Sequence, residues 1–261
     1  MTLPDVLLPF VRDASRAALL LDFDGSIAPI VDDPASATPL PAMVDALRVL
    51  TSELALVAVV SGRTVEFLAA ALPVGGITLV GLYGLERRQS GITTVDARAE
   101  PWIAPIAAAA DAAEAALPGL LVERKGNLCV TIHFRTAPER GDDAREVAAE
   151  LARRYGIDAP HRGRMAVELR PPVPVDKGTV VEELTNGATV AAFAGDDAGD
   201  VPAFATLVDL VRAGRLAHGV RIGVASSEAP AEILAADVVV DGPPALADLF
   251  RELAIAIRPR A

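Results

Sequence analysis

The chain has a single cysteine, Cys129, and only two of its 24 basic residues are lysines, Lys125 and Lys177. One cysteine cannot form an internal disulfide, and in the apolar run LCVTI it reads as a small core residue. Long hydrophobic runs are also missing. Nothing approaches the roughly 20 apolar residues that a spanning helix needs, and the leading MTLPDVLLPFVRD lacks the basic start of a secretory signal. This argues against a membrane partner and makes a cytoplasmic location the expectation. Positive charge is scarce too: 24 basic residues face 35 acidic ones for a net charge of −11, which argues against broad attraction to nucleic acid or anionic lipid. An anionic ligand must therefore meet local positive charge. Each lysine is then either a chance surface placement or a place where a compact ammonium is wanted instead of a guanidinium fork. Internal repeats are absent, and a single Ala-rich stretch is mildly low in complexity.

What the sequence does have is alternation. Strand-like runs (AALLLDF, LALVAVV, ITLVGL) alternate with helix-like segments, one at about Ala42 to Leu50 and one after Arg63. That is the pattern of repeated β-α-β units, hence a parallel sheet flanked by helices. From about Pro101 the pattern changes to an Ala-rich helix, two strand runs (LLVER and NLCVTIHFR) parted by KG, a charged helix at about Pro138 to Tyr155, and a second strand pair ending at RMAVELR. The run RPPVPVDKG then stops regular structure. Alternation resumes with a helix from Gly178, the strand ATVAAFAG, a helix from Val201, the strand GVRIGVA, a short DVVV strand and a helix near Leu246 to Ala256. The expected fold class is α/β, with a core formed by residues 1–100 and 173–261 and an α+β module inserted at 101–172.

Two aspartates close the first strand in LLLDFDGS. Side chains at i and i+2 of an extended strand share a face, so Asp22 and Asp24 converge past its carboxyl end, the edge at which open α/β sheets bind ligands. Far along the chain AAFAGDDAGD repeats the arrangement with Asp196, Asp197 and Asp200. One such cluster is accounted for as a helix cap or a solvated loop. Two at the ends of two buried strands point to a site; if those strands are neighbours, the crowded carboxylates call for a divalent cation, and an all-oxygen set with open positions suits Mg²⁺.

The motifs DFDGS, SGR (Ser61 to Arg63), Lys177 ahead of a helix, and GDDAGD together resemble the four ordered motifs of the haloacid-dehalogenase-like (HAD) phosphatases. VERKGNLCVTIHFR, GRMAVELRP, GLYGLE and APIVDDP resemble segments of the trehalose-6-phosphate phosphatase family, including its cap. The resemblance implies a Rossmann-like core with a C2B-type cap, and a Mg²⁺-dependent enzyme that hydrolyses trehalose 6-phosphate through an aspartyl-phosphate. It implies Asp22 as nucleophile, Asp24 as general acid and base, and Ser61 and Lys177 as phosphate-stabilising groups. Mg²⁺ would be held by Asp22, Asp196 and the main-chain carbonyl of Asp24, with Asp197 and Asp200 orienting metal waters or Lys177. Gly25, Ser26, Gly62, Arg63 and Tyr83 would line the substrate, and Glu123, Lys125 and Glu168 would read the sugar. His133, Arg135, His161 and His218 are expected to be structural. The family usually has Thr at the place of Ser26, His at that of Tyr83, and acidic residues where VPAF follows Asp200. The expected partner is a small sugar phosphate and the expected state a monomer. Other capped phosphatases, acting on glucosyl- or mannosyl-3-phosphoglycerate, sucrose phosphate or hexose phosphates, stay open as alternatives, as does a non-catalytic sugar-phosphate-binding relative.

Overall fold

The computed structural model describes residues 2–31, 33–163, 165–227 and 229–258; Asp32 of APIVDDP and Arg164 of GRMAVELRP lie outside them. The strands, in chain order, are β1 (Ala17–Leu21), β2 (Leu56–Val60), β3 (Thr78–Gly81), β4 (Glu86–Gln89), β5 (Ile92–Val95), β6 (Leu121–Lys125), β7 (Cys129–His133), β8 (His161–Gly163), β9 (Ala166–Leu169), β10 (Val190–Gly195), β11 (His218–Ala225) and β12 (Val238–Asp241). The α-helices are α1 (Leu8–Arg12), α2 (Pro41–Glu53), α3 (Val65–Ala71), α4 (Ile103–Ala116), α5 (Gly141–Tyr155), α6 (Lys177–Leu184), α7 (Val201–Arg212), α8 (Ala231–Leu234) and α9 (Gly242–Ile257).

An 8-stranded sheet runs in the order β12-β11-β10-β1-β2-β3-β4-β5. From β12 to β3 each neighbouring pair is parallel, and β3 pairs antiparallel with β4. The central strands are apolar on both faces, as a sheet covered on both sides requires. On one face Leu19, Leu21, Ala192, Val59 and Ile222 pack with Phe10 of α1, Met43, Leu47 and Leu50 of α2, and Leu249, Phe250 and Leu253 of α9. On the other, Ala18, Leu20, Ala58, Val60 and Phe193 pack with Val180 and Val181 of α6 and with Phe204, Leu207 and Leu210 of α7. Sequence neighbours on β1 lead to β2 on one side of it, while its other neighbour is β10. That reversal is a topological switch point, and the carboxyl ends of β1 and β10 lie at it, the place where open α/β sheets bind ligands.

The chain divides into two compact units, residues 1–93 with 175–261 and residues 94–174. The second unit contains the order α4-β6-β7-α5-β8-β9, and its 4-stranded antiparallel sheet runs β6-β7-β9-β8. One face of that sheet (Val122, Val130, Ile132, Val167, Leu169) packs on the alanines of α4 and on Ala148 and Leu151 of α5. Helix α5 stops at Gly156, whose φ of 67° supplies the left-handed residue that closes a helix end.

Several features differ from the sequence expectation, which had neither α1 nor α8. The hairpin β4–β5 was not foreseen: ERRQ and ITTV are half-buried or exposed at every position, so they bury no apolar face. The segment before Gly141 is a separate 3-10 turn, Pro138–Arg140, ahead of α5. The last helix begins earlier than Leu246, at Gly242, with two prolines in its first turn, where their missing N–H groups cost nothing.

Phe193 is fully buried on β10 and meets Phe204 edge to face at 6.3 Å. Phe193→Ala should lower unfolding stability by about 3–5 kcal/mol, and Phe193→Leu by under about 1.5 kcal/mol, in urea denaturation. Equal small losses for both would mean that α6 and α7 do not depend on this ring.

Candidate active site

Neighbouring parallel strands bring the two acidic segments together. Leu21 stands beside Ala194 in the β1/β10 register, and the Asp22 N–H continues the ladder by donating to the Ala194 carbonyl at 2.8 Å. Phe23 turns into the core and is fully buried, which leaves Asp22 and Asp24 on either side of it. The chain then reverses: the Gly25 N–H donates to Ala28 O at 2.8 Å, and the N–H groups of Ile27 and Ala28 both donate to Phe23 O at 2.9 Å. Gly25 has a φ of +87°, and a Cβ there would sit 2.2 Å from Asp196 Oδ2, so glycine is required on both counts. Its amide serves the turn, so that N–H is committed within the protein.

Helix α6 delivers Lys177. The Asp176 carboxylate accepts from the Thr179 N–H at 2.7 Å, and the Thr179 hydroxyl oxygen accepts from the Asp176 N–H at 2.9 Å, a reciprocal cap that starts the helix at Lys177. Its ammonium donates to Asp22 Oδ1 at 2.5 Å and to Asp200 Oδ1 at 2.6 Å. Asp200 Oδ2 accepts from the N–H groups of Asp196 and Asp197 at 2.9 and 3.1 Å, and the Asp197 side chain accepts from Gly199 at 2.8 Å. Asp200 thus fixes the turn that presents Asp196.

The electrostatics are dominated by burial. Asp22, Asp196, Asp200 and Lys177 are all buried. Burial pushes the Asp22 carboxyl well above its usual range; Lys177 opposes this, while Asp200, Asp196 and Asp197 add to it. Asp200 is raised for the same leading reason, against the pull of Lys177. Burial alone would lower the Lys177 ammonium, but Asp200, Asp22 and Asp197 outweigh it and hold it well above its ordinary value. One ammonium leaves this cluster short of positive charge. Carboxylate oxygens of Asp22, Asp196 and Asp200 lie within 4.8 Å of one another, a hard-oxygen set that fits a further cation.

Asp24 has a different environment. Arg63 donates to it through both arms, Nε to Oδ2 and Nη2 to Oδ1, each at 2.8 Å. Ser61 is buried, and its Oγ accepts from the Arg63 N–H at 3.2 Å, which leaves the hydroxyl proton to be donated elsewhere. Tyr83 lies against Gly62: a Cβ on Gly62 would meet Tyr83 Oη at 2.4 Å. Ser26 is fully buried, and its Oγ has no hydrogen-bond partner among the described residues. A buried hydroxyl in that condition suits a ligand oxygen.

In the second unit the antiparallel register sets Glu123 opposite Thr131 and Thr131 opposite Glu168. These three stand abreast on the face opposite the apolar one. Glu168 Oε1 accepts from Lys125 Nζ at 3.5 Å and its Oε2 from Arg170 Nη2 at 3.1 Å; Glu123 Oε2 meets His133 Nε2 at 2.8 Å. The Thr131 Oγ1 is buried with no partner among the described residues.

The structure therefore brings Asp22, Gly25, Lys177, Asp196 and Asp200 into one cluster and pairs Asp24 with Arg63. Sequence reasoning put Arg63 toward substrate and did not see its hold on Asp24. It also missed Thr131 and Arg170, although the strand period places both on the face of Glu168. His133, expected to be structural, touches Glu123; His161 makes a 3.3 Å contact with Asp158.

Lys177→Met should cost about 3–5 kcal/mol of stability in denaturant titrations at neutral pH without divalent ions, because it strands two buried carboxylates. A loss below about 1 kcal/mol would show that the ammonium does not offset them.

The profile of the trehalose-phosphatase family matches residues 20–243. The trehalose-phosphate phosphatase of Mycobacterium avium is 33% identical over 255 residues, which cover 91% of this chain and 62% of that protein. The chain thus spans under two thirds of the length of that relative. Among solved structures, the C-terminal domain of Candida albicans trehalose-6-phosphate phosphatase aligns with a TM-score of 0.77 at 22% identity, covering 97% of each chain. A trehalose-6-phosphate phosphatase related protein gives the same TM-score at 23% identity, covering 91% of this chain and 97% of its own. At such identities the structures speak for the fold. The family profile, covering both acidic segments and everything between them, makes this chain a member of the trehalose-phosphatase family.

Proposed function

We propose that the chain is a Mg²⁺-dependent phosphatase that hydrolyses trehalose 6-phosphate to trehalose and inorganic phosphate, with Asp22 as the phosphoryl acceptor. The observation that carries this is the separation of two carboxylates only two residues apart: Asp22 buried against Lys177, Asp24 held by Arg63. Distinct surroundings allow a nucleophile and a proton carrier to work side by side.

Lys177 engages Asp22 Oδ1 and so directs the other oxygen of Asp22 at phosphorus. That oxygen forms a bond to phosphorus while the bond to the sugar oxygen breaks; the departing oxygen takes the proton carried by Asp24. Water then attacks the acyl phosphate, Asp24 accepts its proton, and phosphate leaves with Asp22 restored. The Ser61 hydroxyl and the Lys177 ammonium stabilise the equatorial oxygens throughout. Mg²⁺, when held by Asp22, Asp196 and the Asp24 carbonyl, supplies the added positive charge that the buried carboxylates call for. Asp197 and Asp200 hold the turn behind it. Ser26 offers its hydroxyl to a phosphate oxygen, and Tyr83 with Gly62 borders the substrate. Glu123, Lys125 and Glu168 bind sugar hydroxyls, carboxylates accepting and the ammonium donating.

Release of phosphate from trehalose 6-phosphate should stop with EDTA, return with Mg²⁺, and fall at least about a thousandfold in Asp22→Asn. Full activity of that variant would remove Asp22 as nucleophile. Glu168→Ala should reduce turnover of trehalose 6-phosphate by about 10²-fold or more while sparing p-nitrophenyl phosphate. Equal losses on the two esters would take sugar recognition away from Glu168.

A further inference from the structure

We infer that Arg63 is a positioning residue for Asp24, and that the strained turn Leu82–Tyr83–Gly84 exists to hold Arg63 in place; this rests on the phosphatase reading above. Arg63 is fixed at both ends. Its main-chain carbonyl accepts from the Leu82 N–H at 2.9 Å, and its own N–H donates to Ser61 Oγ at 3.2 Å. The Tyr83 N–H donates to the Ser61 carbonyl at 3.0 Å, a second tie between the two loops. Such close contact needs Gly81, where a Cβ would lie 2.8 Å from Arg63 O and 2.7 Å from Val65 N. It also forces positive φ on two side-chain-bearing residues, 48° at Leu82 and 60° at Tyr83. Strain of this kind persists only where the surroundings impose it.

The other end is just as constrained. The guanidinium carbon lies 4.5 Å from the centre of the Phe67 ring, which packs edge to face on Phe23 at 5.7 Å. Phe67 is itself set by the start of α3, where Thr64 Oγ1 accepts from the Phe67 N–H at 3.2 Å and Glu86 accepts from the Val65 N–H at 2.9 Å. The planar fork therefore reaches Asp24 in one orientation, with both arms at 2.8 Å. Two arms, each at 2.8 Å, fix the plane and the aim of the Asp24 carboxylate. When one oxygen carries the proton, the other arm keeps the group aimed at the leaving oxygen. A lysine would keep the charge but not the plane.

The test compares phenyl phosphate with p-nitrophenyl phosphate, two esters without a sugar whose leaving groups differ in their need for a proton. In Arg63→Gln, kcat/KM for phenyl phosphate and for trehalose 6-phosphate should fall by about 10²-fold, while that for p-nitrophenyl phosphate stays within about threefold. p-Nitrophenyl phosphate should also show a burst of nitrophenolate, because hydrolysis of the phosphoenzyme loses its aimed base. Arg63→Lys should not restore the phenyl ester. Phe67→Leu, which keeps the arginine but removes its platform, should show the same selectivity more weakly, and it decides the matter if Arg63→Gln does not fold. Parallel losses on the two aryl esters without a burst, in a variant of native circular dichroism, would overturn the role of Arg63. Loss on the sugar ester alone would assign Arg63 to sugar binding instead. If the wild-type protein releases phosphate from none of the three esters, the phosphatase reading itself fails.

Discussion

The first unit is organised around one ammonium. Lys177 lies between Asp22 and Asp200, and without it the carboxyl ends of β1 and β10 would face each other across a buried, like-charged gap. Desolvating such charges costs several kcal/mol each, and a single ion pair seldom recovers the whole of it. The compensation comes from three places at once: α6 brings the lysine, the Asp197–Asp200 turn ties Asp200 to two main-chain amides, and Gly25 leaves room for Asp196. Each depends on the packing beneath. Val180 and Val181 anchor α6 in the same apolar cluster as Phe193, so hydrophobic burial on one face of the sheet sets the position of a charge at its edge.

Asp22 and Asp24 illustrate how little sequence distance is needed to create two environments. Phe23 fills the core between them and turns their side chains to different neighbours. One enters a buried recess beside Lys177; the other is gripped by a guanidinium whose own orientation is inherited from α3 and from a strained turn after β3. The two carboxylates are in this way supported by separate parts of the sheet, Asp22 by β10 and α6, Asp24 by β2, β3 and α3.

The central fold was legible because parallel strands buried on both faces leave continuous apolar runs, as AALLL and VAAFAG do, and because the acidic residues interrupt those runs at their carboxyl ends. Strand adjacency was not written there, since nothing in either run names its partner; it is visible only in the β1/β10 register. The β4–β5 hairpin stayed hidden because it buries little, and hydrophobic period is what a strand announces. Arg63 was legible as part of a motif but not as the partner of Asp24, 39 residues away in sequence, because a long-range side-chain pair has no local signature. Thr131 and Arg170 were recoverable in principle from the two-residue period, but only once the order β6-β7-β9 is known.

The start of α6 carries a further consequence. Lys177 is the first residue of a helix whose amino end already bears partial positive charge, so for the helix alone it is a poor choice, tolerated because of Asp22 and Asp200. Replacing all three together with apolar residues of similar volume would relieve a frustrated electrostatic arrangement and, as in other buried ionic clusters, leave the protein as stable or more so. Laboratory evolution for heat tolerance alone would thus erode this triad.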